Sequence, residues 1–269
     1  MTVGHPPAWQ QQQQLQPAPN MPWAARASSS SSFWRLVAVE ARKLVGTRSD
    51  KIVLAVAPLF LVGLMALLTL PQTNLASAGR QVVPMLFVIQ LGLLLVFATV
   101  IKLVAGEWQY KSVQPTLLVQ PSRMRYLLAQ GTVLTGVWLV CTVFTFILYP
   151  ILIKTAATGL NHNYLLGSRP GWVLGVAMLA TAQVLLTALI VSLLIPNTGG
   201  SLTVFFIAVP LLALARMMLP EVFGLIYPLE AAFHMAGEGA GWPQTISSLI
   251  VWLSLLVVSL VSLSRRDAG

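Results

Sequence analysis

The chain has 269 residues, 57% of them hydrophobic and only 9% charged, whereas a soluble domain keeps its surface hydrated with roughly a quarter charged residues. That composition excludes a soluble globular fold. The net charge of +9 gathers at the edges of apolar runs rather than over one basic face, which excludes a nucleic-acid reader.

Residues 1–32 carry a glutamine run (Gln10 to Gln14), scattered prolines and a serine tract (Ser28 to Ser32). Such a stretch buries too little apolar surface to offset its chain entropy, and it predicts a disordered cytoplasmic tail. It also lacks the apolar core of a signal peptide. Over 33–48, Phe33, Val37, Ala41 and Leu44 recur at helical spacing, flanked by Trp34 and Val45, with Arg35 and Arg42 opposite. This predicts an amphipathic helix lying in the membrane interface, apolar side down.

Six apolar runs follow, over 52–70, 82–105, 126–153, 172–195, 201–219 and 245–263. Each is close to the roughly 20 residues that cross a 30 Å hydrocarbon core at 1.5 Å per residue. The expected fold is therefore all-α, a polytopic bundle of six transmembrane helices. Lys102 and Arg216 sit at span ends, where long side chains snorkel to the interface. Cys141, the single cysteine, lies inside an apolar run, forms no intrachain disulfide and reads as a small core residue.

Orientation follows from the cations of the short flanking segments. Arg26, Arg35, Arg42, Lys43, Arg48 and Lys51 precede the first span, Lys111, Arg123 and Arg125 follow the second, and Arg265 and Arg266 close the last. Only Arg80, Lys154 and Arg169 fall on the other side. Both termini are expected in the cytoplasm of a multi-pass plasma-membrane protein. The segment 220–243, then outside, is semi-apolar and broken by Gly and Pro. It reads either as a re-entrant hairpin packed on protein or as a surface loop with one amphipathic helix.

The chemistry of an enzyme is missing. His5, His162 and His234 have no second His or Cys at metal-ligand spacing, and no paired carboxylates or Ser-His arrangement falls within a span. None of the six runs contains an acidic residue, which disfavours coupling to an ion gradient. Lys111-Ser112 and Lys154-Thr155 lack the glycines of a phosphate-cradling loop. Metal and cofactor are thus not expected, and any ATP must be bound by another polypeptide. Thr132, Thr135, Thr142, Thr145, Thr181, Gln183 and Thr187 are open to two readings: they line a path, or they bond within their own helices and glue neighbours. Gly171 and Gly175 would allow close helix packing.

The segment 106–125 mixes charge, aromatics and two prolines directly after a span. A short amphipathic piece held at the membrane edge would present Glu107, Gln109, Lys111 and Arg123 to a cytoplasmic partner. Gly106-Glu107-Trp108, Leu117-Leu118 and Pro121-Ser122-Arg123, together with Glu40-Ala41-Arg42-Lys43 before the first span, resemble the membrane subunits of type-2 ATP-binding-cassette exporters. Lys111-Ser112 stands where those proteins have Gly-Thr, and Gln130 where a Lys is common.

The resemblance implies a permease domain over 33–269. It implies a short cytoplasmic coupling helix after the second span, seated in an ATPase subunit through Glu107, Trp108, Gln109, Tyr110, Lys111, Pro121, Ser122 and Arg123. It further implies a second permease copy or homologue, and export of a drug, antibiotic, peptide or lipid-like amphiphile. Glu40, Arg42 and Lys43 would belong to the interfacial helix. Membrane lipids are the remaining partners. A reading from another class, a non-transporting anchor or sensor subunit, uses the tail and the amphipathic helix instead.

Overall fold

The computed structural model describes residues 32–69, 77–110, 123–159 and 169–265. Residues 1–31, 70–76, 111–122, 160–168 and 266–269 lie outside them, and with them the expected N-terminal tail and most of the expected coupling segment. Among the described residues all regular structure is helical: α1 (Phe33–Leu44), α2 (Arg48–Thr69), α3 (Ala78–Gly92), α4 (Leu94–Gln109) and α5 (Arg123–Gly159) form the first half. The second half holds α6 (Pro170–Leu194), α7 (Thr198–Met218), α8 (Pro220–Phe223), α9 (Glu230–Met235) and α10 (Trp242–Arg265). Six of the described segments are long and apolar enough to cross a membrane: α2, α3 with α4, α5, α6, α7 and α10. The protein is an all-helical, multi-pass membrane protein.

The helices outrun the apolar runs by a few residues because backbone hydrogen bonding continues past the last apolar side chain. Asp50, in the first turn of α2, and Glu107, in the last turn of α4, lie just beyond the apolar runs on the same helices.

The second span is two helices in line, broken at Leu93. Leu93 has a flattened αR backbone, φ −81° and ψ −3°, and a Cβ on the preceding Gly92 would lie 2.5 Å from Cδ2 of Leu61. The break and the missing side chain together admit α2 at close range.

Helix α6 is apolar all round, the pattern of a fully surrounded helix, and it touches α3, α4, α5, α7, α9 and α10. The most apolar stretch of α3–α4 is 67% buried and that of α6 61%, against 17–28% for the other four spans. The centre of the molecule is therefore α3–α4 against α6. The outer helices show large apolar side chains outward, such as Leu59, Leu211 and Val257, as a hydrocarbon surrounding requires.

The threonine hydroxyls of α5 and α6 follow the own-helix reading. Thr132, Thr135, Thr145, Thr181 and Thr187 each bond a carbonyl one turn back on their own helix. Thr142 and Thr181 meet at 2.7 Å and tie α5 to α6.

Gly175 is where close approach occurs, since a Cβ there would meet Cε of Met235 at 2.9 Å, whereas one at Gly171 would meet nothing. The segment between α7 and α10 folds into the bundle as α8, α9 and their turns. Tyr227, Leu229, Ala232 and Phe233 are all essentially buried. Tyr227 donates its hydroxyl to Oε1 of Gln90, at the middle of the second span, while Nε2 of Gln90 donates to the Val209 carbonyl at 3.1 Å. Helix α9 ends on Gly237 at φ 82°, with Glu238 N–H bonded to the Phe233 carbonyl at 2.9 Å, the left-handed stop that glycine adopts without strain.

Arg216 does not snorkel. It is 7% exposed, its Nε donates to Oε2 of Glu230 at 2.7 Å and its guanidinium lies 3.9 Å from the Phe233 ring. Lys102, partly exposed, extends to the end of α2, where its ammonium pairs with Asp50.

Candidate functional site

Helix α1 packs on the ends of α5 and α4 at one side of the bundle. Helix α1 has two working faces. Its apolar positions Val37, Ala41, Leu44 and Val45 line a cavity. The face that packs on protein is the adjoining one, where Leu36 is 8% and Glu40 0% exposed.

Glu40 is one turn before Lys43, and the Lys43 ammonium bonds Oε1 of Glu40 at 2.6 Å and Oε1 of Glu107 at 2.5 Å. Across from it, Nε2 of Gln130 on α5 donates to Oε2 of Glu107 at 3.3 Å, and the Tyr126 ring lies 5.7 Å from the ammonium. Three helices distant in sequence are thus joined through one lysine.

The electrostatics of this junction are unbalanced. Two carboxylates, 0% and 5% exposed, share one cation, and Oε2 of Glu40 is buried with no hydrogen-bond partner. Burial alone would depress the Lys43 pKa, but the hydrogen bonds and charges of Glu107 and Glu40 outweigh it and hold the ammonium above the usual lysine range. Lys43 is cationic at any physiological pH.

A second ionic tie lies beside the first. Asp50 accepts from Lys102 and from the Thr47 hydroxyl and amide at 2.6 and 3.2 Å. It fixes the start of α2 to α4, so α1 and α2 are both tethered to the helix that carries Glu107.

The residues expected to face a partner separate into two groups. Glu107 is turned inward to Lys43 and Gln130 rather than presented outward. Gln109 is exposed but engaged: its Oε1 accepts from the Thr198 amide at 2.8 Å, at the start of α7. Trp108 is half-buried, and Tyr110 is 74% exposed at the point where the chain leaves α4. Arg42 is exposed. Arg123 opens α5, while Lys111, Pro121 and Ser122 lie outside the described residues.

Sequence reasoning named Glu40, Lys43, Glu107 and Gln130 without placing them together. It missed the roles of Asp50, Lys102 and Tyr126. Complementary charges at the ends of adjacent spans were the available signal for the first two. Among the described residues no three His, Cys, Asp or Glu side chains group as metal ligands, and His234 stacks on Trp242 at 4.2 Å.

No protein-family model, curated protein or solved structure matches this chain.

Proposed function

We propose that this chain is the permease subunit of an ATP-driven exporter of the type-2 ATP-binding-cassette class, energised by a separate cytoplasmic ATPase and working as a pair of permeases. The observation that carries the reading is the junction. Residues from two separated motifs of the resemblance, Glu40-Lys43 and Glu107, meet at one ammonium, and Gln130, where the family commonly has Lys, donates to the same Glu107. An engine acting from outside the membrane needs a stiff linkage between the segment it pushes and the helices that must tilt. Lys43 and the Asp50–Lys102 pair join α1, α2, α4 and α5 in that way.

In this proposal α1 lies along the cytoplasmic interface and both termini are cytoplasmic in the plasma membrane. The segment 106–125 holds the coupling element, with Trp108 and Tyr110 as its aromatic anchor. ATP is held by the partner, and the chain itself carries out no bond chemistry.

The test is purification of the full-length chain from its native membranes in mild detergent, with assay of vanadate-sensitive ATP hydrolysis in the complex. Co-purifying hydrolysis that is lost in Tyr110→Ser, in a variant whose thermal unfolding is unchanged, supports the proposal. A chain recovered without ATPase activity under conditions that keep it folded overturns it and favours the anchor or sensor reading.

A further inference from the structure

Between α1, α2, α4 and α5 lies a cavity of about 520 Å³, within the roughly 300–1,000 Å³ of small-molecule sites. Its walls are almost wholly apolar. The two hydroxyls at its surface, Thr99 and Thr132, are bonded to the carbonyls of Val96 and Leu128 at 2.7 and 2.8 Å, so neither asks for a polar ligand. It opens sideways: Pro58, Gly136 and Val140 line it and are exposed, Val140 at 69%. Those residues are continuous with the outward apolar faces of α2 and α5, which in a membrane-spanning chain face hydrocarbon.

At the α1 end of the cavity stands a basic corner. Arg42 follows the lining residue Ala41, and Arg48 opens α2 six residues, about 9 Å, before the lining residue Leu54. Arg35 and Lys51 extend the corner, and all four are exposed without an ion pair among the described residues. The neighbouring carboxylates are already taken, Glu40 by Lys43 and Asp50 by Lys102.

We infer that this cavity is a binding site for one acyl chain of an anionic membrane phospholipid, whose phosphate rests against Arg42 and Arg48. Aliphatic walls select the chain, and the unpaired arginines select the headgroup charge. A second copy of the protein fits the mouth poorly, because a two-fold interface would set the basic corner against itself. The apolar stripe of α1 then has a role: it closes over a lipid tail instead of a protein core. This inference rests on the membrane fold alone and stands whether or not the chain transports anything.

The test uses the full-length chain in phosphatidylcholine vesicles doped with phosphatidylglycerol or phosphatidylcholine carrying a photoreactive diazirine in the acyl chain, with adducts mapped by peptide mass spectrometry. Phosphatidylglycerol should label the walls of α1, α2 and α5 roughly 25-fold more than phosphatidylcholine does. Arg42→Gln and Arg48→Gln should each lower that preference about fivefold. A Cβ at Gly136 meets nothing within 4 Å, so Gly136→Leu fills the space without touching backbone. It should reduce wall labelling about tenfold or more, the loss of roughly two methylenes of contact.

Labelling of Val257 on the outer face of α10 reports that the protein is inserted and folded. If Gly136→Leu changes it, Val140→Phe at the mouth replaces that variant. Wall labelling no stronger than that of Val257, indifferent to both filling variants, or equal for the two headgroups overturns the assignment. Walls that stay unlabelled by either lipid do so too, by giving the cavity to a protein segment.

Discussion

Lys43 is the residue on which most depends, because it is the cation that two buried carboxylates share. Removing one partner of a fully buried pair costs about 3–5 kcal/mol, and the Lys43 side chain is 30% exposed, so solvent screens part of that. Lys43→Met should lower stability by roughly 2–3 kcal/mol, read as a loss of thermal or SDS resistance in detergent, and Glu107→Gln in the same background should recover part of it. Gln130→Lys should act in the opposite sense. A second cation at 3.3 Å from Glu107 would balance the surplus carboxylate and raise stability by about 1 kcal/mol. The pH dependence has a defined sign. With the folded-state pKa of Lys43 above its ordinary 10.5, its contribution is complete below that value and is lost only as pH rises through the higher folded value. The gap between wild type and Lys43→Met should therefore stay constant between about pH 8 and 10 and close above.

At the scale of elements, the segment between α7 and α10 behaves as a wedge rather than as a connector. Arg216, Tyr227, Glu230 and Phe233 form a cluster in which the cation is stacked on two rings, at 3.9 and 5.2 Å, and Oε1 of Glu230 also accepts from the Ala240 amide at 2.6 Å. Arg216→Met strands a fully buried carboxylate and should cost about 3–5 kcal/mol, and Arg216→Met with Glu230→Gln should restore a large share. Limited proteolysis after Phe223 gives the local readout, with cutting fast in the single variant and slow in the double. This wedge was only half legible in the sequence. Periodicity and run length find spans because lipid imposes them on every crossing helix. Nothing comparable in the order of residues says that Tyr227 reaches Gln90, a contact 137 positions away. The same limit made Arg216 read as a snorkelling residue and hid the partner of Lys102: Glu230 and Asp50 come from other elements. The ionic junction was legible to the extent that its members belong to local motifs. Which way Glu107 faces depended on α1 folding back beside α4, and no local pattern encodes that.

At the scale of the whole molecule, burial is arranged in reverse on two kinds of helix, and the arrangement makes opposite predictions for them. On α6, Ala177, Ala180 and Ala188 are fully buried, and small residues of this kind let neighbouring helices approach closely where no hydrophobic force drives them together. Ala180→Leu adds volume where none is free and should destabilise by about 1–3 kcal/mol, even though it makes the helix more apolar. On α10, Leu253 is 55% exposed. In a water-facing protein Leu253→Arg would be close to neutral. Against hydrocarbon, exchanging leucine for arginine near mid-span costs roughly 3–4 kcal/mol on the insertion scale. Insertion of α10, followed by a glycosylation tag on the following residues, should fall measurably in Leu253→Arg and remain unchanged in Leu253→Ala. Ala180→Leu should insert normally and fail instead in SDS-resistance of the folded bundle. The two failures, one at insertion and the other at packing, separate because the outer helices answer to lipid and the inner ones to each other.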